Sequence, residues 1–372
     1  MKTSRIFLVA LAMTWCAIGT KAQKSEPSTF SVMSLNVDGL PGKILGFNVN
    51  ADGPQSVGSL RISMYLAKKD CDILCLQEDF NYRWEILSLL FTSYNHDEWS
   101  GGINLLEKKI DYAHLQNLKF ECDGLNMLWK EDIKTTGYER MAWEKNFGKF
   151  SHDFDDIITK GFRRHDVTLP SGKQIVVYNM HMDATSKRDV EKHNDANDSA
   201  ARQAQWIQLR DYILNHLDNR PVIITGDMNS YYRRDPVKTL FIDVINDSGK
   251  ATCGDVWVER CNDGSYPQPD SEVLEEETLD KILYINPVDG DQISPVSFTI
   301  DKAEYQYNGK PLGDHYPIIA TFEFTRKTTT GIQTTEASAS EGAAYDLSGR
   351  QLNNEPNTHG IYINNGKKVM VK

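Results

Sequence analysis

Eight polar residues stand at or beside the ends of apolar segments, and their side chains are suited to phosphoester hydrolysis. They are Asn36, Glu78, His181, Asp227, Asn229, Asp280, Asp314 and His315. Carboxylates bind Mg²⁺ or Mn²⁺, which keep waters that phosphate oxygens can replace. Histidines transfer protons or stabilise the charge that develops on a phosphate. Together such groups can neutralise a phosphate and orient an attacking water.

The segment 221–230 is the most informative of these strand ends. Four apolar and mostly β-branched positions lead into Gly226-Asp227-Met228-Asn229. This pattern predicts a strand that is buried on both faces and ends at the carboxyl edge of a sheet. An isolated sequence of this kind is more often an Asx turn that closes a strand. The repetition of polar residues at other strand ends favours a functional site instead.

The elements that must position these side chains begin with a βαβ unit. Period-two alternation predicts a strand at residues 30–40, and apolar spacing predicts a helix at 60–69 before a second strand at 71–78. A helix between two strands requires local parallel pairing. Asn36 and Glu78 would therefore lie near each other at the ends of neighbouring strands.

The remaining pattern also alternates strands and helices. Residues 161–169 and 173–181 predict a hairpin that turns at Pro170-Ser171-Gly172. A helix at 200–219 precedes the central strand, and the acidic run at 270–277 predicts a solvated loop. Further strands are predicted at residues 124–130, 278–285, 297–299, 303–307 and 316–322.

The two ends of the chain have compositions of their own. Residues 1–22 have a basic start, a short apolar run and small residues at 20 and 22, which predicts a signal peptide and a secreted, periplasmic or cell-surface protein. We expect a catalytic domain at 23–327, a Thr/Ser-rich linker at 328–343 and a small β module at 344–372. Asn365-Gly366 predicts a hairpin in that module.

Composition limits the class of partner. The chain of 372 residues has a net charge of −11, whereas proteins that grip DNA usually present a basic face. Basic residues cluster only locally, at Arg163-Arg164 and Arg233-Arg234. The acidic balance therefore favours a small or lipid phosphodiester over nucleic acid.

The cysteines do not form a disulfide-dense framework. Cys16 lies in the signal segment, so an odd number of the six cysteines remains in the processed chain. Cys253 and Cys261 are close enough in sequence for a short disulfide loop, whereas Cys71 and Cys75 flank an apolar strand and are predicted to be buried thiols. No Cys/His set has the spacing of a zinc site.

Six short motifs occur in an order that resembles the endonuclease/exonuclease/phosphatase (deoxyribonuclease-I-like) superfamily. They lie at residues 35–37, 76–78, 179–181, 225–229, 279–281 and 313–317. The resemblance covers about residues 29–326 and implies a four-layer α/β sandwich, with two mixed β-sheets flanked by helices. By position in the motifs, it implies that Glu78 binds a metal, Mg²⁺ or Mn²⁺, that Asn36 contacts the metal or phosphate, and that Asp314 assists.

The resemblance also implies catalytic roles for the other strand-end residues. Asp227 and Asn229 would orient the nucleophilic water and hold the phosphate. His181 and His315 would transfer protons and stabilise transition-state charge, and Asp280 would orient His315.

The superfamily includes nucleases, inositol-phosphate phosphatases and sphingomyelinases, and two features resemble the sphingomyelinase-like branch. These features are Asn36-Val37-Asp38-Gly39-Leu40-Pro41 and the loop and helix at 181–209. The third residue of His181-Met182-Asp183 departs from that branch, which often has Gln there. Tyr232-Arg233 is similar to inositol phosphatases, although its spacing is one residue too long. A non-catalytic binding protein on the same scaffold is disfavoured because no motif has lost its functional group.

These resemblances lead to an expected substrate and partners. We expect a phosphodiester substrate, a phospholipid in preference to nucleic acid, and transient contact with a membrane surface through aromatic residues between Trp84 and Trp143. No obligate protein partner is evident, and we expect a monomer. The segment from Tyr345 is similar to C-terminal modules of secreted proteins of the Bacteroidetes, some of which direct export.

Overall fold

The strands that carry the predicted site residues belong to two six-stranded sheets. A computed structural model describes residues 28–44, 47–48, 50–98, 115–116, 119–120, 123–147, 159–185, 196–269, 271, 274, 276–325, 344–346, 351–352, 360–364 and 367–371. The predicted signal peptide at 1–22 and linker at 328–343 lie outside these residues.

The elements of the main unit follow in chain order. Its sheet strands are β1 (Thr29–Asn36), β2 (Ile73–Gln77), β3 (Tyr94–His96), β4 (Asn126–Lys130), β5 (Lys134–Ala142), β6 (Gly161–Thr168), β7 (Gln174–His181), β8 (Val222–Asp227), β9 (Ala251–Asp255), β10 (Asp280–Pro287), β11 (Gln292–Ile300) and β12 (Ile318–Thr325). Its helices are α1 (Gln55–Lys69), α2 (Arg83–Leu87), α3 (Ala196–His216), a π-helix (Lys238–Ile242), α4 (Asp243–Asp247) and α5 (Val256–Cys261). Short strand pairs join Lys43–Ile44 to Phe47–Asn48, Leu115–Gln116 to Lys119–Phe120, and Gln306–Tyr307 to Lys310–Pro311.

Each sheet has a parallel strand pair at its centre. The first sheet has the order β11-β12-β1-β2-β4-β3, and the second has the order β9-β10-β8-β7-β6-β5. β1 pairs in parallel with β2 through α1, and β7 pairs in parallel with β8 through α3. The other pairings within these two sheets are antiparallel. The carboxyl ends of all four central strands can therefore meet at one edge.

Alternate side chains of the central strands separate three apolar layers. Val32 of β1 and Ile223 of β8 belong to the layer between the sheets. Met33 faces the opposite way and packs with Ile62 of α1. On the far side, the neighbours of Ile223 in β8 pack with Trp206 of α3. Helices thus cover both outer faces, and the predicted four-layer α/β sandwich is confirmed.

Several predicted boundaries shift. Residues 161–168 and 174–181 form the predicted antiparallel hairpin. The first strand ends at Asn36 rather than near residue 40, because the chain then turns so that Gly39 N donates to the Glu78 carbonyl, 3.1 Å away. The first helix begins at Gln55, and of residues 303–307 only Gln306–Tyr307 is strand.

Cys253 and Cys261 do not form the short disulfide loop that their spacing in the sequence allows. Cys253 is buried in β9, where it packs into the core, whereas Cys261 is exposed at the end of α5, and both are free thiols. Short sequence separation did not bring the two sulfurs together because the strand and the helix direct them to different environments. Cys71 and Cys75 are buried free thiols, as predicted.

Residues 327–372 form a second compact unit by their internal contacts. Its strands lie in the order Gln351–Leu352, Ala344–Tyr345, Gly360–Asn364 and Lys367–Val371. The last two pair antiparallel, with Asn364 opposite Lys367, which agrees with the predicted hairpin. Among the described residues of the chain, no helix is long and apolar enough to cross a membrane.

A bridge of neutral amides joins the two sheets at the edge that carries the site residues. The Gln77 side-chain amide donates to Asn179 Oδ1 at 2.8 Å. Asn179 Nδ2 in turn donates to the backbone carbonyls of Leu76 and Asn126, each at 3.0 Å. Gln77 and Asn179 are fully buried, so water cannot replace these bonds.

Asn179→Leu should destabilise the protein by about 2–4 kcal/mol, because it removes one acceptor of the buried Gln77 amide and the side-chain donor of two buried carbonyls. Urea unfolding of the purified protein measures this change. Asn95→Ala, at an exposed position of the edge strand β3, is the control and should stay within about 0.5 kcal/mol. A similarly small change for Asn179→Leu would show that the bridge contributes little.

Candidate active site

The Asp227 carboxylate is the centre of the polar cluster. Its Oδ2 accepts a hydrogen bond from Asn36 Nδ2 at 3.0 Å and lies 3.5 Å from Nε2 of both His181 and His315. Strand register explains this meeting, since Asp227 pairs with His181 on one side and with Asp280 on the other. The register therefore brings His181, Asp227 and Asp280 together on three adjacent strands of the second sheet.

The first sheet adds Asn36 and Glu78. Asn36 Nδ2 donates to Glu78 Oε1 at 3.0 Å as well as to Asp227, and Asn36 Oδ1 accepts from the backbone N–H of Asp38 at 2.9 Å. Glu78 Oε1 lies 4.0 Å from His181 Nε2. The amide group of Asn36 thus links a carboxylate from each sheet.

Unusual backbone conformations hold the loops of this cluster. Asp38, Glu78 and Asn229 have φ of 50°, 53° and 48°, in the left-handed region that non-glycine residues rarely adopt. A Cβ on Gly39 would lie 2.3 Å from the Glu78 carbonyl oxygen, so the close approach of the two loops requires glycine. Such conformations are typical of sites whose geometry is fixed before a ligand binds.

Asn229 forms the Asx turn that its sequence allows, and that turn serves the cluster. Its backbone N–H donates to Asp227 Oδ1 at 3.0 Å, while its side chain donates to the Met182 carbonyl at 3.1 Å. These bonds fix the Asp227 carboxylate so that Oδ2 faces the histidines. Asn229 is partly buried rather than part of the innermost cluster.

The two histidines are held in opposite protonation states. Burial disfavours charge on His315, but the carboxylates of Asp280 and Asp227 outweigh burial and raise the pKa of His315 well above its usual value. Its Nδ1 donates to Asp280 Oδ2 at 2.7 Å. Burial, reinforced by the nearby ammonium of Lys160, lowers the pKa of His181 to about 3. At neutral pH the site contains one imidazolium and one neutral imidazole.

Lys160 is a buried cation that sequence reasoning missed. Lys160 is only 5% exposed, and its Nζ donates a hydrogen bond to the Met182 carbonyl at 3.3 Å. Its charge also opposes the rise in the pKa of Glu78 that burial causes, and it contributes to the lowered pKa of Asp227. Lys160 directly precedes β6 and belongs to no motif. The only signal in the sequence was that β6 is predicted to pair with β7, the strand that ends at His181.

Asp314 lies at the open side of the cluster. It is exposed, and its charge raises the pKa of both Glu78 and His315. It lines a cavity of about 720 Å³. The charged and aromatic lining residues are Asp38, Asp52, Arg61, Tyr307, Lys310 and Asp314. We call this space the acidic cavity because three of its five charged residues are carboxylates.

The cluster fits a divalent cation by its chemistry. Burial raises the pKa of Glu78 to about 7, against the hydrogen bond from Asn36 and the charge of Lys160, so a cation would relieve a costly buried charge. Glu78 and Asp227 offer the oxygen ligands that Mg²⁺ and Mn²⁺ prefer. Ligand atoms of Asp227, Asp280 and His315 also lie within 4.8 Å of one another, although the His315–Asp280 hydrogen bond occupies two of these groups.

The basic cluster at Arg163-Arg164 and the acidic run at 270–277 each contain a buried charged residue. Arg163 is fully buried, and its guanidinium donates to Asp123 Oδ1 at 2.7 Å, while Arg164 pairs with Asp166 at 2.9 Å. These arginines therefore do not form a basic groove. In the run predicted as a solvated loop, Glu277 is buried because its carboxylate accepts from the backbone N–H of Tyr232 at 2.7 Å.

Comparisons with known proteins agree with this fold. The profile of the endonuclease/exonuclease/phosphatase family matches residues 33–271. The structure of zebrafish (D. rerio) TDP2 complexed with a single-strand DNA product is 18% identical, with a TM-score of 0.51 over 79% of this chain and 99% of that one. An endonuclease/exonuclease/phosphatase family protein of Bacteroides thetaiotaomicron is 14% identical, with a TM-score of 0.52 over 81% and 100%. These structural similarities concern the fold alone.

Two curated relatives are closer in sequence. The proteins named sphingomyelinase in Mycobacterium bovis and Mycobacterium tuberculosis are 28% identical over 207 residues. The match covers 54% of this chain and 37% of each mycobacterial protein. The chain therefore matches little more than a third of the length of these relatives.

If Glu78 binds the cation, acid should weaken binding, because the cation must displace the proton that a carboxyl with a pKa of about 7 retains. Mg²⁺ affinity should be about tenfold lower at pH 6 than at pH 8. Isothermal titration in buffers of different ionisation enthalpy measures the affinity and the released proton. Glu78→Gln should bind weakly at both pH values, whereas Glu85→Gln should behave like the unmodified protein. Equal affinity at pH 6 and pH 8 would exclude Glu78 as the titrating ligand.

Lys160→Met should shift the pH dependence of Mg²⁺ binding upward, because the ammonium lowers the pKa of Glu78. The same titration, repeated from pH 6 to pH 9, gives the midpoint. Lys173→Met is the matched control, since Lys173 pairs with Asp291 at 2.8 Å at an exposed position outside the cluster. An unchanged midpoint in Lys160→Met would place its charge too far from Glu78 to matter.

Proposed function

The chain belongs to the endonuclease/exonuclease/phosphatase family, and from that premise we propose that it is a secreted, Mg²⁺-dependent phosphodiesterase that cleaves the headgroup from a sphingomyelin-type phospholipid. Members of this family are metal-dependent phosphoesterases and nucleases, so the general class is a hydrolase of phosphoric esters. The lipid substrate, the metal and secretion are the finer parts of the proposal.

The acidic cavity is the observation that most favours a lipid headgroup. Asp38 and Asp314 both line the cavity, and the charges of both raise the pKa of Glu78. Carboxylates at this position complement a cationic headgroup such as choline. They would repel the repeated phosphates of a nucleic acid. The two mycobacterial relatives named sphingomyelinase support the same direction.

A divalent cation bound at Glu78 would neutralise phosphate charge and favour attack by water. The protein's own groups would orient that water. Asp227 Oδ2, held by Asn36, can accept a proton from a water placed between the two neighbouring imidazoles. The Asx turn at Asn229 keeps this carboxylate in its orientation.

His315 and His181 would have different tasks. His315 is protonated and anchored through Nδ1 by Asp280, so its Nε2 can donate to a phosphoryl oxygen or to the departing alkoxide. His181 is neutral and can accept or pass on a proton. Lys160 adds a fixed positive charge near the site where phosphate charge increases.

A nucleic-acid substrate is the second candidate. Arg233 and Arg234 lie over the ring of Tyr231, at 5.5 Å and 5.1 Å from its centroid. Burial raises the pKa of Tyr231, and the positive charges of Arg234, Arg233 and His315 oppose that rise, so Tyr231 lies near His315. A small basic group therefore lies beside the cluster and could contact a phosphate. The neighbour complexed with single-strand DNA has the same fold.

A substrate panel at fixed Mg²⁺ distinguishes the candidates. We expect release of phosphocholine from sphingomyelin, with little activity on plasmid DNA, RNA or inositol phosphates. His315→Ala should lower turnover by about 10²–10⁴-fold, because it removes a positioned acid. His216→Ala, an exposed position of α3, is the control and should retain full activity.

Nicking of plasmid DNA without release of phosphocholine would reject the lipid proposal in favour of the nuclease. Full activity of His315→Ala on the preferred substrate would remove His315 from the mechanism. Circular dichroism of both variants establishes that the fold is retained.

A further inference from the structure

Six large apolar side chains are exposed on two adjacent helical segments. On α1 they are Val57, Leu60 and Met64, and around α2 they are Trp84, Leu89 and Phe91. Their exposed fractions are 61%, 42% and 61% on α1, and 58%, 52% and 50% around α2. We call this set the apolar rim. Soluble proteins rarely expose so many large apolar residues together unless the surface binds something.

The members of the apolar rim are neighbours. Val57, Leu60 and Met64 have the spacing that places them along one side of α1. The two segments touch, because the backbone N–H of Leu89 donates to Ser63 Oγ at 3.2 Å. The rings of Trp84 and Phe91 lie against each other, with centroids 6.3 Å apart. One apolar surface therefore extends from α1 across the turn that follows α2.

The apolar rim adjoins the mouth of the proposed active site. Pro54, Gly58 and Arg61 of the α1 region line the acidic cavity together with Asp38 and Asp314. Ser56 and Tyr82 line a second cavity of about 550 Å³, between the start of α1 and the entry to α2. Val57 is thus next in sequence to residues that line both openings.

The chemistry of this surface matches a leaflet of lipids with zwitterionic headgroups. The other exposed residues of the turn after α2 are Ser88, Thr92 and Ser93, which carry no charge. Trp favours the boundary between headgroups and acyl chains. The carboxylates of the neighbouring acidic cavity would meet the positive ends of zwitterionic headgroups. A net charge of −11 disfavours an anionic leaflet.

We propose that the apolar rim docks the protein onto a zwitterionic lipid leaflet, so that a headgroup can enter the acidic cavity. This inference rests on the proposed function, because it assigns a surface to the lipid substrate. The rim lies in the headgroup region, as amphipathic interfacial segments do.

The test separates binding to a surface from chemistry. Vesicles of sphingomyelin and phosphatidylcholine are sedimented with the full chain carrying Asp227→Asn, in the presence of Mg²⁺, so that the lipid stays intact. Trp84→Ser/Phe91→Ser and, separately, Val57→Ser/Met64→Ser are added to this background. Each pair should weaken vesicle binding by on the order of tenfold or more. The substitutions remove apolar surface whose transfer from water into the leaflet would stabilise the bound state.

Two controls accompany these variants. Val288→Ser removes an apolar side chain that is 49% exposed beyond the end of β10, at the sheet edge opposite Asp280, and should bind vesicles normally. With Asp227 intact, both pairs should hydrolyse the soluble ester p-nitrophenyl phosphocholine at the unmodified rate, because the rim does not contact the reacting groups.

Vesicle binding that survives both double substitutions overturns the proposal, as does an unmodified protein that does not bind zwitterionic vesicles or prefers anionic ones. A dimer that becomes a monomer in both pairs, measured by light scattering, also overturns it by assigning the rim to a second copy of the chain. If no variant cleaves the soluble ester or sphingomyelin, the proposed function fails, and vesicle binding still decides the role of the rim.

Discussion

The hydrogen bond between Gln77 and Asn179 is the constraint on which the arrangement of the two sheets at the catalytic edge depends. Gln77 directly precedes Glu78 in the first sheet, and Asn179 lies two residues before His181 in the second sheet. The bond is neutral, so it fixes the distance between the sheets without the desolvation cost of a buried ion pair. Once it forms, the strand register does the rest, because Asp227 and Asp280 follow His181 in adjacent strands.

Charge in the cluster is distributed so that each buried ion has a counterpart, with one exception. Asp280 and Asp227 hold the His315 imidazolium, and Asn36 donates to Oδ2 of Asp227 and to Oε1 of Glu78. Glu78 is the exception, since only an amide and a more distant ammonium oppose its charge. That imbalance makes the metal-free site less stable as pH rises above the ordinary range of a glutamate. It is also what gives the site its attraction for a cation.

The sequence was informative where a side chain follows an apolar strand, because the period of the strand and the edge of the sheet then determine its position. Asn36, Glu78, His181 and Asp227 meet for this reason. Lys160 could not be predicted in the same way, because it reaches the cluster from the start of a strand with no motif. The burial of Arg163 could not be predicted, since a buried ion pair and a surface patch have the same composition, and only the position of Asp123 distinguishes them. The resemblance implied that Asp314 assists at the metal. In the structure Asp314 lies at the open side of the cluster, where its charge raises the pKa of Glu78.

The position of β1 has a consequence for biosynthesis. This strand is the first of the described fold, yet it pairs with β12, which ends at residue 325. Such pairing has a large sequence separation, so β1 must wait for nearly the whole domain before both of its edges are satisfied. His315 also emerges late. A nascent chain on the ribosome is therefore catalytically silent until its last sheet strand is made, and hydrolysis begins only with the completed domain.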